Sequence, residues 1–201
     1  MDWDLYIQHL ISGYIPAIPM LLIYFFVLYI KGKKQTLSHI ILSFVFICYL
    51  FGILTMTGVW WFKPFSPVFE WVPLIDMVRG PVQTALNVLL FIPLGFFLPI
   101  LYKRFESIRA IAITGFLISL SVEVVQMFGC GSTDINDLIT NTVGSCIGYG
   151  VYLLFYRITP KTWLKSFRVE GNQCYYELIL FWVLSLMIMT TIQMNIFHFL
   201  F

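Results

Sequence analysis

The stretch Ser119–Gly148 reads SLSVEVVQMFGCGSTDINDLITNTVGSCIG. Its first half has the pattern of an apolar helix interrupted by Glu123 and Gln126, and a glycine-rich turn follows. Its second half opens with Asp134 and Asp137 and continues as another apolar segment. This pattern predicts two membrane helices joined by a short acidic turn, with the rest of the chain holding that turn at one face of a membrane.

The composition indicates an integral membrane protein. Of 201 residues, 60% are hydrophobic and 11% are charged, whereas a soluble domain has about 25% charged residues. Apolar runs of about 20 residues, long enough to cross the hydrocarbon core, recur along the chain. We predict an all-α protein with a single membrane domain over 1–201 and about six transmembrane helices. The predicted spans are about 12–30, 39–59, 85–102, 108–128, 138–156 and 176–197, with Pro16 and Pro19 in the first turns of the first span.

The basic residues predict the orientation. The connections after the first, third and fifth spans, counted with Arg109 at the start of the fourth span, hold ten of the twelve Lys and Arg, and only Lys63 and Arg79 lie elsewhere. Cytoplasmic loops are enriched in Lys and Arg. We therefore expect both termini, the proline-rich loop 60–84 and the turn after Phe128 to face outward, with the lipid bilayer as the surrounding partner.

Several function classes lack support in the sequence. No solvated basic patch with interleaved aromatic residues is present, so nucleic acid is not an expected partner. The four cysteines include no C-x-x-C pair, so neither a zinc site nor a redox motif is predicted. The N-terminus lacks the basic region and cleavage site of a signal peptide. No cofactor is expected.

Glu123 is a carboxyl residue five positions before the predicted outer end of the fourth span. Ser119, Glu123 and Gln126 are spaced i, i+4, i+7 and share one helix face. A carboxyl group inside a membrane is costly unless it faces protein or water, and such groups are often functional. Glu123 therefore has two interpretations: a helix-to-helix hydrogen bond, or a role in a site.

The start of the fifth span carries a second polar stripe. Thr133 or Asp134 is a suitable N-cap, and Asp137 then falls in the first turn, where the helix dipole favours an anion. Capping alone could explain both aspartates, but it does not explain Asn141, which continues the stripe. Farther along, Gly144-x-x-x-Gly148 would let another backbone approach closely.

Two upstream residues lie near the same predicted outer surface, Asn87 at the start of the third span and Arg79 before it. Three carboxylates outweigh one arginine, so the site suits hydroxyls, amides, an ammonium group or a divalent cation better than a bare phosphate. No metal is assigned. The residues expected to converge and bind a ligand are Arg79, Asn87, Glu123, Gln126, Asp134, Asp137 and Asn141.

Three motifs over about 85–155 occur together in a way that resembles the VanZ-like family. They are Asn87–Gly95 (NVLLFIPLG), Val122–Gln126 (VEVVQ) and Gly131–Gly144 (GSTDINDLITNTVG), the last being the most specific. Many members carry an Asn-Leu-x-Pro-Phe stretch before the first motif. Here the nearest match is Trp71-Val-Pro-Leu74, which lacks the asparagine.

The resemblance implies a small multi-pass protein of the plasma membrane, mostly of Gram-positive bacteria, in a family whose namesake is linked to resistance to teicoplanin and related lipoglycopeptides. It also implies that the signature polar residues of the family are those of the three motifs: Asn87, Glu123, Gln126, Asp134, Asp137 and Asn141.

Three hypotheses about function follow. The first is an outward polar pocket that binds the head group of a lipid-linked cell-wall precursor, or that alters access of lipoglycopeptides to the surface. The second is an enzyme, assisted by carboxylates or a metal, that acts on an isoprenoid or other lipid-linked substrate; none of the three histidines is near the cluster in sequence. The third is a structural or partner-binding role in which the polar residues only hold helices together.

Overall fold

The computed structural model describes residues 3–59, 69–70, 80–128 and 133–200. The chain is an all-α membrane protein, as predicted, with six helical segments that are long and apolar enough to cross a membrane. The predicted loop 60–84 lies mostly outside the described residues. The α-helices are α1 (Trp3–Ile30), α2 (Leu37–Met56), α3 (Pro81–Leu101), α4 (Ile108–Gln126), α5 (Ile135–Ile158), α6 (Lys161–Lys165), α7 (Gln173–Met187) and α8 (Gln193–Leu200). A π-helical turn, Ile188–Ile192, joins α7 to α8.

The first helix is longer than the sequence pattern predicted. It begins at Trp3 rather than near residue 12, so Pro16 and Pro19 lie inside the helix and not in its first turns. The placement of the two prolines in the sequence analysis was therefore wrong. Asp4 lies in the first turn of α1, where the helix dipole stabilises an anion. The polar residues near Trp3 and the apolar segment that follows them belong to one helix.

The chain forms two compact units, 1–62 with 172–201, and 63–171. In the first unit, α1, α2 and the segment from α7 to α8 bury a core of large side chains that includes Phe46, Phe51 and Phe181. Thr36 caps α2 by accepting a hydrogen bond from the His39 backbone nitrogen, as N-cap threonines do. The prediction of one domain over 1–201 stays a prediction.

In the second unit, α3 and α5 approach each other through glycines. A Cβ atom added at Gly144 would overlap the carbonyl oxygen of Val88, and one at Gly148 would overlap that of Ile92. Facing them, a Cβ at Gly95 would overlap the carbonyl oxygen of Ser145. The predicted close approach at Gly144 and Gly148 is confirmed, and α3 is the helix that approaches.

Two short backbone pairings also occur in this unit. Strand β1 (Phe69–Glu70) pairs in parallel with strand β2 (Thr133–Asp134), with Glu70 opposite Asp134. Elsewhere, Lys103 and Val169 are joined by a backbone hydrogen bond, which ties the segment after α6 to the connection between α3 and α4. The first pairing positions the residues that lead into α5, where the predicted site lies.

Candidate functional site

Glu123 lies in the last turn of α4 and is 2% exposed. Its Oε2 atom accepts a hydrogen bond from the backbone nitrogen of Asp134 at 3.0 Å. Backbone N–H groups at a helix start lack partners within the helix, and an anion there is stabilised by the helix dipole. The Glu123 carboxyl group of α4 therefore stabilises the start of α5.

Asp134 is the N-cap of α5, so the structure selects it over Thr133, the other residue that the sequence analysis considered. Its Oδ1 atom accepts hydrogen bonds from the Asn136 backbone nitrogen at 2.8 Å and from Asn136 Nδ2 at 2.9 Å. Asp137 lies in the first turn of the helix. The start of α5 thus gathers carboxylates from two helices, and Asp134 and Asp137 are both only half-buried.

Asn87 connects α3 to this acidic cluster. Its Nδ2 atom donates a hydrogen bond to Asp137 Oδ1, and its Oδ1 atom accepts one from Gln83 Nε2 at 3.2 Å. Gln83 is exposed and Asn87 is half-buried. A chain of polar groups therefore runs from the surface at the start of α3 to a carboxylate at the start of α5.

Asn141 lies deeper on the same face of α5 and is 4% exposed. Its Nδ2 atom donates to Ser119 Oγ on α4 at 2.9 Å. Its Oδ1 atom is buried and has no hydrogen-bond partner among the described residues. Because an unpaired buried amide oxygen costs free energy, Asn141 is the polar group of this cluster least explained by helix packing.

The structure brings together five of the seven predicted site residues through direct hydrogen bonds, either to one another or to neighbours in the cluster. They are Asn87, Glu123, Asp134, Asp137 and Asn141. Gln126 is half-buried in the last turn of α4, three residues beyond Glu123. Arg79 lies outside the described residues. Whether any of the seven binds a ligand stays a prediction.

The sequence analysis did not assign Gln83, Ser119 or Asn136 to the site. Gln83 precedes Asn87 by one helical turn, so the i, i+4 spacing could have indicated it. Ser119 was placed on the same face as Glu123 by that spacing but was not counted as a site residue. Asn136 follows the N-cap by two residues, and its backbone N–H is one that an N-cap side chain commonly binds.

The chemistry available at the cluster is that of carboxylates, amides and a hydroxyl. Such groups accept hydrogen bonds from hydroxyls, amides and ammonium groups. Within the part of the chain that the structure describes, no group of three His, Cys, Asp or Glu side chains could hold a metal ion. The cluster therefore suits a polar, hydrogen-bonding ligand.

The helices and this site define a multi-pass, all-α membrane protein with a polar cluster at the ends of three helices. Residues 16–156 match the model of the VanZ/LLP1 family, and the chain belongs to that family, as the motifs predicted. It is similar to Protein VanZ of Enterococcus faecium, with 40% identity over 67 residues. That match spans 33% of this chain and 41% of the relative. No solved structure matches the chain.

Proposed function

We propose that this chain is a cell-envelope protein of the Gram-positive plasma membrane that lowers sensitivity to lipoglycopeptides of the teicoplanin type. It does so by binding the head group of a lipid-linked wall precursor at the polar cluster around Asn87 and Asp137. The proposal rests on membership of the VanZ/LLP1 family and on the resemblance of the three motifs that supply the cluster.

The observation that carries the proposal is the hydrogen bond from Asn87 to Asp137. It joins two residues that are 50 positions apart in the chain and that belong to different motifs. Both side chains are half-buried, so a ligand can reach them without unfolding a helix. A fully buried pair would support helix packing alone.

The orientation from the basic connections agrees with this role. With those connections in the cytoplasm, the starts of α3 and α5 and the end of α4 face outward. The head group of a wall precursor that has crossed the membrane is exposed on that side. The carboxylates of Asp134 and Asp137 can accept hydrogen bonds from sugar hydroxyls and peptide amides.

The test is a susceptibility measurement in a Gram-positive host that lacks a related protein. The wild-type chain, Asp137→Asn and Asn87→Ala are expressed at matched membrane levels, and the inhibitory concentration of a teicoplanin-type antibiotic is measured. Wild-type expression should raise that concentration, and both variants should lose most of the increase. Glu170→Gln is the control, because Glu170 is an exposed residue that pairs with Lys103 outside the cluster.

Full protection by Asp137→Asn at normal protein levels would refute the proposal, as would a wild-type chain that gives none. A second candidate function is structural, and the bond from the Asp134 nitrogen to Glu123 favours it because that bond holds α4 to α5. In that case the variants lose protection only where the amount of folded protein falls, and their protection equals that of the wild type once membrane levels are matched. No specific observation on the described residues favours the enzyme hypothesis.

A further inference from the structure

A second buried polar group lies in the unit that contains α1, α2 and α7, and the sequence motifs did not indicate it. His39 of α2 and Glu177 of α7 are 1% and 0% exposed. His39 Nε2 and Glu177 Oε1 are 2.7 Å apart. The hydroxyl of Tyr24 on α1 donates to the other oxygen, Glu177 Oε2, at 3.0 Å. Three helices thus meet at one carboxyl group.

We propose that His39, Glu177 and Tyr24 form a buried proton-binding site between three helices, at which one exchangeable proton is held between the imidazole and the carboxyl group. Ionisable groups inside membrane segments are rare and often act as proton relays. The proposal concerns a different unit from the Asn87–Asp137 cluster and does not depend on the function proposed for that cluster.

The charge of the surrounding groups supports a bound proton. Tyr24 faces the pair from α1, Ser43 faces it from α2, and Cys174 is buried one turn before Glu177 on α7. None of these three groups is a cation. An unprotonated pair would place a net negative charge in a buried site, which is costly, whereas one added proton makes the pair neutral.

The 2.7 Å contact allows that proton to have either of two positions. An imidazolium nitrogen can donate to a carboxylate, or a carboxyl O–H can donate to Nε2, because the neutral ring can donate or accept at each nitrogen. The two arrangements differ only in where the proton lies along the contact. The hydroxyl of Tyr24 donates to the second carboxyl oxygen in both cases.

Two other roles fit the geometry less well. Ser43 Oγ is 3.4 Å from the same nitrogen that contacts Glu177. In a serine nucleophile triad the serine and the acid contact opposite nitrogens of the ring. A metal site would need more ligands than the two that this pair supplies. The alternative that the experiment must distinguish is a pair that only holds the helices together.

The experiment uses the full-length protein in lipid nanodiscs with ¹⁵N-labelled histidine rings. The His39 signals are assigned with His9→Gln and His198→Gln variants, which remove the other two histidines in turn. In the wild type, the His39 Nε2 signal should be that of a ring nitrogen that shares a proton with a carboxyl group, as the 2.7 Å contact implies. In Glu177→Gln that shared-proton signal should be lost, because the partner carboxyl group is gone.

Glu170→Gln, an exposed carboxyl in the other unit, is the control and should leave the His39 signals unchanged. If Glu177→Gln does not fold, the spectra of the wild type and of Tyr24→Phe decide the question, since Tyr24→Phe keeps the contact between His39 and Glu177. Tyr24→Phe should shift the His39 Nε2 signal, because the second carboxyl oxygen loses its hydrogen bond from Tyr24. A wild-type His39 Nε2 signal without the signature of a proton shared with a carboxyl group would overturn the proposal.

Discussion

Glu123 and Asp134 are eleven residues apart in the chain, and the carboxylate of the first accepts a hydrogen bond from the backbone nitrogen of the second at 3.0 Å. The bond links α4 to the start of α5, because Glu123 is a buried residue of α4 and Asp134 is the N-cap of α5. One side chain of α4 thereby holds the residue at which α5 begins.

Removal of that acceptor should destabilise the protein. Glu123→Ala leaves the partly buried Asp134 N–H without its acceptor, which costs at most about 3 kcal/mol, so the thermal midpoint of the purified protein should fall. Glu123→Gln keeps an oxygen that can accept the same hydrogen bond and should lose less than half as much. Equal losses in the two variants, measured in the same detergent, would show that the charge matters and not the hydrogen bond.

The glycine contact between α3 and α5 gives a matched pair of variants. Gly148→Ala places a methyl group against the backbone of Ile92, and overpacking of this kind costs about 1–3 kcal/mol. Gly150→Ala on the same helix has nothing within 4 Å of the added Cβ and should be neutral or stabilise by up to about 1 kcal/mol. Thermal unfolding of both variants measures the difference. A tolerated Gly148→Ala would contradict the close helix contact.

Two ion pairs near the predicted cytoplasmic side should differ in their contributions to stability. Arg168 Nη2 contacts Glu106 Oε1 at 2.7 Å and donates to the Tyr152 hydroxyl at 2.6 Å, and the Arg168 side chain is only 10% exposed. Arg168→Ala should therefore cost about 1.5–3 kcal/mol, the range for hydrogen bonds to charged groups. Lys103→Ala breaks a pair whose side chains are 55% and 66% exposed and should cost no more than about 1 kcal/mol.

The measurement is the free energy of unfolding of both variants in the same detergent. A larger effect from Lys103→Ala would contradict this ranking of the two ion pairs.

Cysteine labelling in whole cells checks the orientation. The four native cysteines are replaced by serine, and a single cysteine is placed at Gln83 or at Lys33, both of which are exposed. A membrane-impermeant maleimide should label the cysteine at 83 in intact cells and the one at 33 only after permeabilisation. The reverse pattern would place the Asn87–Asp137 cluster on the cytoplasmic side and would remove the basis for contact with an outward head group.

Much of the fold could be predicted because membrane spans depend on local properties. Apolar length, the Asp134 cap and the spacing of Gly144 and Gly148 are all visible within one turn or one helix. The start of α1 was misplaced because the polar residues near Trp3 lower the hydropathy without breaking the helix. Hydropathy detects the membrane-spanning part of a helix and not its extension beyond it.

The candidate site was predicted in part for a similar reason. Polar residues on neighbouring helices could be grouped by depth, which placed Asn87 beside the acidic start of α5. His39 and Glu177 could not be grouped, because they are 138 residues apart and each follows a connection where polar residues are expected. Only the packing of α2 against α7 reveals that their side chains meet.

The most direct test of the central claim measures binding at the Asn87–Asp137 cluster. The full-length protein in nanodiscs is titrated with a lipid-linked disaccharide-peptide wall precursor, alongside Asp137→Asn, Asn87→Ala and Glu170→Gln. We predict saturable binding by the wild type and by Glu170→Gln, with affinity at least about tenfold weaker in the two cluster variants, a loss of about 1.4 kcal/mol. Equal affinity in all four folded proteins, or no binding by the wild type, would contradict the account.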